Sequence, residues 1–261
     1  MSTPETGRAV ITGATGGLGA AFARTLAAEG RELTLIARNA EALDDLAAEL
    51  SERHRVPVET MTADLAEPDE VRKLVGRLAD TDVDLLINNA GFAQHGPYET
   101  LDPDRQHDQL QVLVVALADL AQGLVPQLVR RGRGGIINVA STAAFQPTPY
   151  LTVYAAAKAF VLSFSQALHA ELRGKGVTVT ALCPGPVMTR FWDEVGSTDG
   201  AFGQRLSAER VVRLGLAGYR RRRPVVVTGW RNRATAQANR IVPRRLTARI
   251  AGLAVRPRRR S

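Results

Sequence analysis

The chain has a single cysteine, Cys183, among its 261 residues, so no disulfide can form within it. Nothing in its cysteine usage points to an oxidising compartment. The four histidines are scattered without metal-ligand spacing, and we predict no metal site. The N-terminus has no basic segment followed by an apolar one, as a signal peptide would. These absences lead us to expect a cytoplasmic protein.

The sequence also lacks an apolar run that reads as a membrane span. The most apolar long stretch, 110–129, contains three glutamines and an aspartate, so we predict a buried helix there. Hydrophobic residues make up 45% of the chain and charged residues 23%, as is usual for a globular protein with a sizeable core. At this length, one large α/β domain fits better than two small ones.

Acidic residues nearly vanish toward the end of the sequence. From Arg205 onward there are seventeen arginines and one acid, Glu209, whereas the first 204 residues carry 17 basic and 25 acidic residues. The formal charge of +8 therefore combines about −8 in the body of the chain with about +16 in its C-terminal part. The basic character belongs to this tail.

The segment 231–261 reads as a basic amphipathic extension of a single domain, 1–230. Apolar residues recur in it at helical spacing, namely Ile241, Val242, Leu246, Ile250 and Leu253. Such a helix can lie on an anionic membrane, which would make the protein peripheral to that membrane. Alternatively, the apolar stripe packs on the domain or on a partner subunit. We expect no nucleic-acid binding, because the tail lacks interleaved aromatic residues.

Short apolar runs alternate with helical patterns along the first 230 residues. We predict strands at 8–12, 32–36, 56–61, 83–88, 135–140, 177–182 and 224–228. Helices are predicted at 17–29, 40–53, 68–80, 104–131, 152–174 and 207–218. Near-continuous apolar strands separated by helices are typical of a parallel sheet covered on both faces. The predicted fold is an α/β, Rossmann-like doubly wound parallel sheet of about seven strands.

A glycine-rich turn lies between the first predicted strand and the first helix. It reads Thr12-Gly13-Ala14-Thr15-Gly16-Gly17-Leu18-Gly19. Glycines permit a tight turn and close approach of the backbone to a pyrophosphate, which the helix N-terminus stabilises. The turn therefore predicts a dinucleotide site, although its glycine spacing differs from the usual fingerprint.

A second motif pairs Tyr154 with Lys158, with Ser141 thirteen residues before the tyrosine. On a helix, positions four apart share one face. A free tyrosine has a pKa near ~10, and a nearby ammonium lowers it, which suits general acid–base catalysis. Taken alone, this pair is also a common exposed helical spacing.

In combination, these motifs resemble the short-chain dehydrogenase/reductase family over residues 8 to about 189. The glycine turn is similar to the family's cofactor turn, and Asn88-Asn89-Ala90-Gly91 to its structural motif after the fourth strand. Pro184-Gly185-x-x-x-Thr189 is similar to the segment that meets the nicotinamide amide. Within the family, the chain is similar to the bacterial branch of NAD(P)-dependent oxidoreductases.

The resemblance implies that Ser141, Tyr154 and Lys158 are catalytic. Tyr154 would pass a proton to or from the substrate oxygen while a hydride moves at the nicotinamide. Ser141 would hydrogen-bond the same oxygen, although a serine here also suits a turn cap. Lys158 would lower the pKa of Tyr154 and bind the nicotinamide ribose. The family also suggests a homo-oligomer.

Arg38, at the end of the second strand, favours NADP over NAD. An acid there would bind ribose hydroxyls, whereas an arginine suits a 2′-phosphate; a solvated loop arginine is the alternative. Asp64-Leu65 resembles the family's adenine-contacting pair, and Asp64 also suits a helix cap. The predicted cofactor-binding residues are Gly13, Thr15, Gly17, Leu18, Gly19, Arg38, Asp64, Leu65, Asn89, Tyr154, Lys158, Pro184, Gly185, Val187 and Thr189.

Leu113 departs from the family pattern. The family usually has an Asn here that bends the long fourth helix and holds a water connecting the lysine to solvent, and no Asn occurs between Asn89 and Asn138. We hypothesise that proton supply takes another water path or is slower. The alternative function is a nucleotide-binding regulatory or membrane-surface protein with reduced or lost turnover.

The segment 188–206 lies where the family places its substrate lid. Phe191, Trp192 and Phe202 alternate there with glycines, which suits a mobile cover over an apolar ligand. The leading function is thus an NADP(H)-dependent oxidoreductase that interconverts a carbonyl and an alcohol on a hydrophobic small molecule. His95 and Tyr98 either line the substrate pocket or lie at the surface.

Overall fold

A computed structural model of the protein describes residues 7–188, 203–239 and 241–257. Seven strands form one sheet in the order β3-β2-β1-β4-β5-β6-β7, and every pairing is parallel. The strands are β1 (Arg8–Thr12), β2 (Leu33–Ala37), β3 (Val58–Thr62), β4 (Val83–Asn88), β5 (Gly135–Val139), β6 (Thr178–Cys183) and β7 (Val225–Val227). The predicted doubly wound sheet is confirmed, with strand ends shifted by one or two residues.

Helices connect successive strands and cover both faces of the sheet. They are α1 (Gly17–Ala28), α2 (Ala40–His54), α3 (Pro68–Ala79), α4 (Pro103–Leu110), α5 (Ala116–Arg131), α6 (Thr152–Leu172), α7 (Ala208–Arg220), α8 (Trp230–Ala238) and α9 (Arg244–Val255). The six predicted helices are present. The last two helices belong to the predicted extension, and its boundary at residue 230 stays a prediction.

Two apolar layers hold the helices on the sheet. Phe22 and Leu26 of α1 are fully buried on the face shared with α2 and α7. On the other face, Leu120 and Leu124 of α5 pack with α3 and the end of α6. Burying a side chain of this size contributes about 1.5–3 kcal/mol. Because both faces are covered, the central strands are made mainly of apolar residues.

The long helix in the second layer runs from residue 103 to 131, with a π-helical turn at Gln111–Val115 between α4 and α5. Within the described residues, it is the one helix long and apolar enough to cross a membrane by length and composition. Here Leu120, Leu124 and Leu128 are buried against the sheet and α3. The prediction of a buried helix in this stretch is confirmed.

The sheet order reverses at β1, which pairs with β2 on one side and with β4 on the other. Connections leave the carboxyl ends of these strands in opposite directions, so a crevice opens between them. In doubly wound sheets, ligands bind in this crevice. The topology therefore brings the loops after β1 and β4 to a single edge, together with those after β2, β3, β5 and β6.

Candidate functional site

A cleft of about 1530 Å³ occupies the carboxyl edge of the sheet. It runs from the glycine turn after β1, past the loops that follow β4, β5 and β6, to the C-terminal helices. Of the predicted site residues, those that line it are Gly13, Thr15, Gly17, Leu18, Arg38, Asp64, Leu65, Asn89, Ser141, Tyr154, Lys158, Pro184, Gly185 and Val187. Thr189 lies outside the described residues.

The glycine turn fits a phosphate group. Helix α1 begins after Gly16, whose lack of a side chain leaves the first-turn N–H groups uncapped, and no acid lies in that turn. The helix N-terminus therefore presents free donors and a positive dipole end to the cleft. Gly13 has a φ of 62°, and a Cβ there would lie 2.9 Å from the Cα of Ala90. Any side chain at this position would push apart the loops that meet there.

Gly19 corrects one prediction. It does not line the cleft, and a Cβ on it would come within 2.1 Å of the Gly13 carbonyl oxygen. Its role is to let α1 approach the turn closely. Gly19 thus supports the glycine turn on the side that faces away from the cleft.

Asn89 braces the same turn from the loop after β4. Its side-chain Nδ2 donates to the carbonyl oxygens of Thr12 at 2.9 Å and Gly13 at 3.1 Å. The Thr12 hydroxyl in turn accepts from the backbone N–H groups of Asn89 and Ala90, both at 3.0 Å. The two strand ends at the crevice are therefore fixed to each other, which preserves the shape of the turn.

Ser141, Tyr154 and Lys158 meet at the middle of the cleft. Lys158 is 4% exposed, and its Nζ donates to the Val139 carbonyl oxygen at 2.7 Å and lies 5.7 Å from the centre of the Tyr154 ring. The Ser141 Oγ accepts from the backbone N–H of Ala143 at 3.1 Å, capping a short 3₁₀ turn, and Ser141 also hydrogen-bonds Tyr154. The turn-cap interpretation of Ser141 is confirmed, and the same residue also lines the cleft.

A buried chain of polar side chains positions the helix that carries Tyr154 and Lys158. Asn88 on β4 donates from Nδ2 to Asn138 Oδ1 on β5 at 2.9 Å, and Asn138 donates from its own Nδ2 to Ser165 Oγ on α6 at 2.9 Å. Asn138 and Ser165 are fully buried. Because buried polar groups are costly unless paired, this chain fixes α6 against the sheet.

Burial governs the protonation of the pair. It raises the pKa of the Tyr154 phenol to about 12, against a smaller lowering from the Ser141 hydrogen bond. It also lowers the pKa of the Lys158 ammonium to about 8. The prediction of a lowered pKa for Tyr154 is therefore wrong in direction, since loss of water around the phenol outweighs the Ser141 hydrogen bond. At neutral pH the phenol holds its proton.

Leu113 occupies the π-helical turn and is 1% exposed. Its Cδ2 would lie 2.5 Å from a Cβ on Gly91, and that Cβ would be 3.8 Å from the Lys158 Nζ. Leu113 thus fills the space beside Gly91 on the side of the lysine. It presents a methyl group where an asparagine would present an amide.

Arg38 lies at the outer end of the cleft, after β2. Its side chain is 64% exposed, and its Nη1 lies 3.7 Å from Asp64 Oδ2 after β3. The Asp64 Oδ1 also accepts from the backbone N–H of Ala66 at 2.9 Å, so the predicted capping role coexists with a place in the cleft. Asn39, the next residue, caps α2. Arg38 is therefore the guanidinium that β2 presents at this end.

The loop after β6 is held by a residue that sequence reasoning missed. Asn232 on α8 is 4% exposed and exchanges two hydrogen bonds with the Gln204 backbone, accepting from N at 2.9 Å and donating to O at 3.1 Å. Three glycines surround it, because a Cβ on Gly185, Gly203 or Gly229 would lie 2.3–3.1 Å from its amide atoms. Asn232 therefore packs against the segment predicted to meet the nicotinamide and holds the far end of the predicted lid. Phe191, Trp192 and Phe202 in that lid lie outside the described residues.

The C-terminal extension forms the wall of the cleft at its other end. The residues of α8, α9 and their link that line it are Asn232, Thr235, Ala236, Ala238, Asn239, Val242, Thr247, Ile250, Ala251, Ala254 and Val255. His95 Nε2 lies 2.7 Å from the Val255 carbonyl oxygen, whereas Tyr98 is 62% exposed. His95 thus anchors the C-terminal wall, and Tyr98 lies at the surface.

Comparison with known proteins agrees with this geometry. Residues 8–200 match the family model described as short chain dehydrogenase. The chain belongs to the short-chain dehydrogenase family. This dehydrogenase is 36% identical to the human very-long-chain 3-oxoacyl-CoA reductase over 187 residues, which cover 70% of this chain and 60% of that reductase. The chain thus spans less than two thirds of that relative's length.

Solved structures extend the likeness to the whole dehydrogenase. A short-chain dehydrogenase from Sphingobium yanoikuyae, in complex with NADPH, is 32% identical, with a TM-score of 0.83 and 98% of each chain covered. The bulky-bulky ketone specific alcohol dehydrogenase from Comamonas testosteroni is 27% identical, with a TM-score of 0.80, covering 99% of this chain and 97% of that one. These solved structures therefore share the fold of this chain over nearly its whole length.

The part of the chain that the structure describes contains no donor set for a metal ion. Across residues 7–188, 203–239 and 241–257, no group of three or more His, Cys, Asp or Glu side chains is placed to hold a metal ion. Cys183, beside Lys158, is buried, and burial raises the pKa of its thiol to about 12. The titratable groups at the centre of the cleft are therefore the phenol and the ammonium.

Proposed function

We propose that the protein is an NADP(H)-dependent oxidoreductase that reduces a carbonyl on a hydrophobic small molecule to an alcohol. The observation that carries this proposal is the meeting of Ser141, Tyr154 and Lys158 in one cleft with the uncapped glycine turn. Bound NADPH would supply the hydride. The residues of the chain then have to bind the carbonyl oxygen and deliver a proton to it.

Tyr154 is the proton donor in this proposal. Its raised pKa of about 12 keeps the phenol protonated at neutral pH, so it is ready to act as an acid toward a carbonyl oxygen. Ser141 is hydrogen-bonded to the phenol, and its hydroxyl can donate to the substrate oxygen, where charge develops. The opposite reaction needs the phenolate as a base, which is scarce at neutral pH. Reduction is therefore the direction that the site favours.

Lys158 would return the proton to Tyr154. Its ammonium has a pKa of about 8, close to physiological pH, so it can both hold and release a proton. Leu113 closes the side next to Gly91 with an apolar group. The proton would therefore reach Lys158 through water in the open cleft. A slow resupply would limit turnover without preventing it.

The preference for NADP rests on Arg38. It is the exposed cation after β2, where a 2′-phosphate would need one, and β2 is not followed by an acid. Its partner Asp64 lies at 3.7 Å, too far for a tight hydrogen bond, so the guanidinium can turn to a stronger anion. The NADPH bound in the Sphingobium relative supports the same choice.

The hydrophobic substrate is inferred from the far end of the cleft. Its walls there include Phe92, Val112 and Leu151, together with Val242 and Ala251 from the C-terminal part. Apolar side chains of this kind suit a ligand that is mostly hydrocarbon around one carbonyl. The relatives named for long acyl chains and for bulky ketones are consistent with this class.

Steady-state kinetics with NADPH and NADH test the cofactor assignment. We expect kcat/KM to favour NADPH, and Arg38→Ala to reduce that preference about tenfold to a hundredfold, because a charge-assisted phosphate contact of about 1.5–3 kcal/mol is lost. Arg24→Ala, which removes an exposed arginine paired with Glu49 on the same cleft edge, is the matched control. An Arg38→Ala enzyme with an unchanged preference would contradict the assignment.

A further inference from the structure

The C-terminal helix α9 faces the protein with its small residues. Thr247, Ala251 and Val255 are buried, and Gly252 packs on Pro149, since a Cβ on it would lie 3.1 Å from the proline Cγ. The bond between His95 and the Val255 carbonyl oxygen fixes the end of the helix. This packing decides which side of α9 points away from the domain.

The large apolar residues of α9 lie on its other side. Leu246, Ile250 and Leu253 are 49%, 53% and 78% exposed, and their spacing of three and four residues places them in one row. Arg245 and Arg249 are exposed beside this row. We call these five residues the outward face of α9. The predicted packing of the apolar stripe on the domain is therefore not observed.

The positive charge of the outward face limits which kind of partner can bind to it. Among the described residues, no carboxylate pairs with Arg245 or Arg249, and the chain has no acid after Glu209. A second copy joined through the same face would bring these arginines against their equivalents, because such an interface is self-complementary by symmetry. An anionic lipid surface offers hydrocarbon for the leucines and phosphate for the arginines.

We propose that the outward face of α9 docks on an anionic membrane surface. Ile250 belongs both to this face and to the lining of the cleft, so docking places the substrate end of the cleft next to the lipid. Ile241, 88% exposed just before α9, adds to the apolar area. A hydrophobic substrate dissolved in the bilayer could then enter without crossing water. Docking itself does not depend on the proposed reaction.

Vesicle co-sedimentation of the full chain tests the proposal. The probes are vesicles of phosphatidylcholine alone and of phosphatidylcholine with about 30% phosphatidylglycerol, at low and high salt. We expect binding to the anionic vesicles that weakens with salt. Arg245→Gln/Arg249→Gln should weaken it about thirtyfold, and Leu246→Gln/Leu253→Gln at least about tenfold. Leu246 and Leu253 do not line the cleft, so these two changes leave the site intact.

Matched controls carry the same changes elsewhere. Leu214→Gln alters an apolar residue of α7 that is 39% exposed, and Arg221→Gln/Arg223→Gln removes two exposed charges after that helix. Both should bind vesicles like the unchanged protein. The proposal is overturned if the unchanged protein stays in the supernatant or binds neutral vesicles as well as anionic ones. It is equally overturned if the α9 variants bind anionic vesicles as well as the unchanged protein does. It is also overturned if those variants instead dissociate an oligomer in sedimentation velocity runs without lipid.

Discussion

Replacing Asn232 by alanine should loosen the segment that is predicted to meet the nicotinamide. The Asn232 side chain exchanges two hydrogen bonds with the Gln204 backbone and donates a third to the Thr228 carbonyl oxygen at 2.8 Å. The Met188 backbone N–H donates to the Leu206 carbonyl oxygen, so backbone bonds join the two ends of the predicted lid while Asn232 holds the end at Gln204. Alanine removes all three bonds and leaves space next to Gly185.

The expected cost follows from these contacts. A buried hydrogen bond contributes about 1 kcal/mol net, so three give about 3 kcal/mol of lost stability. For a domain of this size, that lowers Tm by about 6–12 °C. Because Gly185 rests on the same amide, we also expect the KM for NADPH to rise about tenfold, with a smaller change in kcat.

Thermal unfolding followed by circular dichroism, together with NADPH kinetics, measures both effects. The control is Gln237→Ala, which removes an exposed amide from the same helix. A second variant, Asn232→Asp, keeps the acceptor but turns a negative charge toward two carbonyl oxygens, and it should be at least as damaging at neutral pH. If Asn232→Ala melts with the Gln237→Ala control and keeps its KM, the amide does not organise this loop.

Two further predictions concern the proton path. Leu113→Asn places an amide in a buried apolar slot beside Gly91, so it should cost about 1–3 kcal/mol of stability. The same change should raise kcat and shift the pH dependence of kcat. Unchanged turnover and an unchanged pH profile would show that the position does not matter here. In the pH profile of reduction, kcat should be flat near neutrality and fall as Lys158 loses its proton through about pH 8. Oxidation should instead increase with pH, because it needs the Tyr154 phenolate, whose pKa is about 12; reduction that increases from pH 7 to 9 would refute these roles.

Much of the fold follows from local sequence signals. The central strands are buried on both faces, so their apolar runs are unambiguous, and the glycine turn marks the first strand-to-helix junction. The place of Ser141 was also predictable, because it lies just after β5 and strand order brings the carboxyl ends of β4, β5 and β6 together. The residues within each strand and within the glycine turn are therefore enough to predict these elements.

Contacts distant in sequence were not predictable in the same way. Asn232 reads as an ordinary polar residue in an arginine-rich tail, and only folding places it among three distant glycines. The pKa of Tyr154 depends on how much water reaches the phenol, which the Tyr-x-x-x-Lys spacing does not encode. The sequence motif suggested that Gly19 contacts the cofactor. Its close approach to the Gly13 carbonyl oxygen becomes visible only in the folded chain.

The most direct test of the account is NADPH oxidation with hydrophobic ketones, compared between the unchanged enzyme and Tyr154→Phe. The account predicts turnover by the unchanged enzyme and a loss of about 10²–10⁴-fold in kcat for the variant, since the proton donor is gone. NADPH binding, followed by fluorescence, should persist in both. Tight NADPH binding without turnover of any ketone tested, or full activity of Tyr154→Phe, would contradict it.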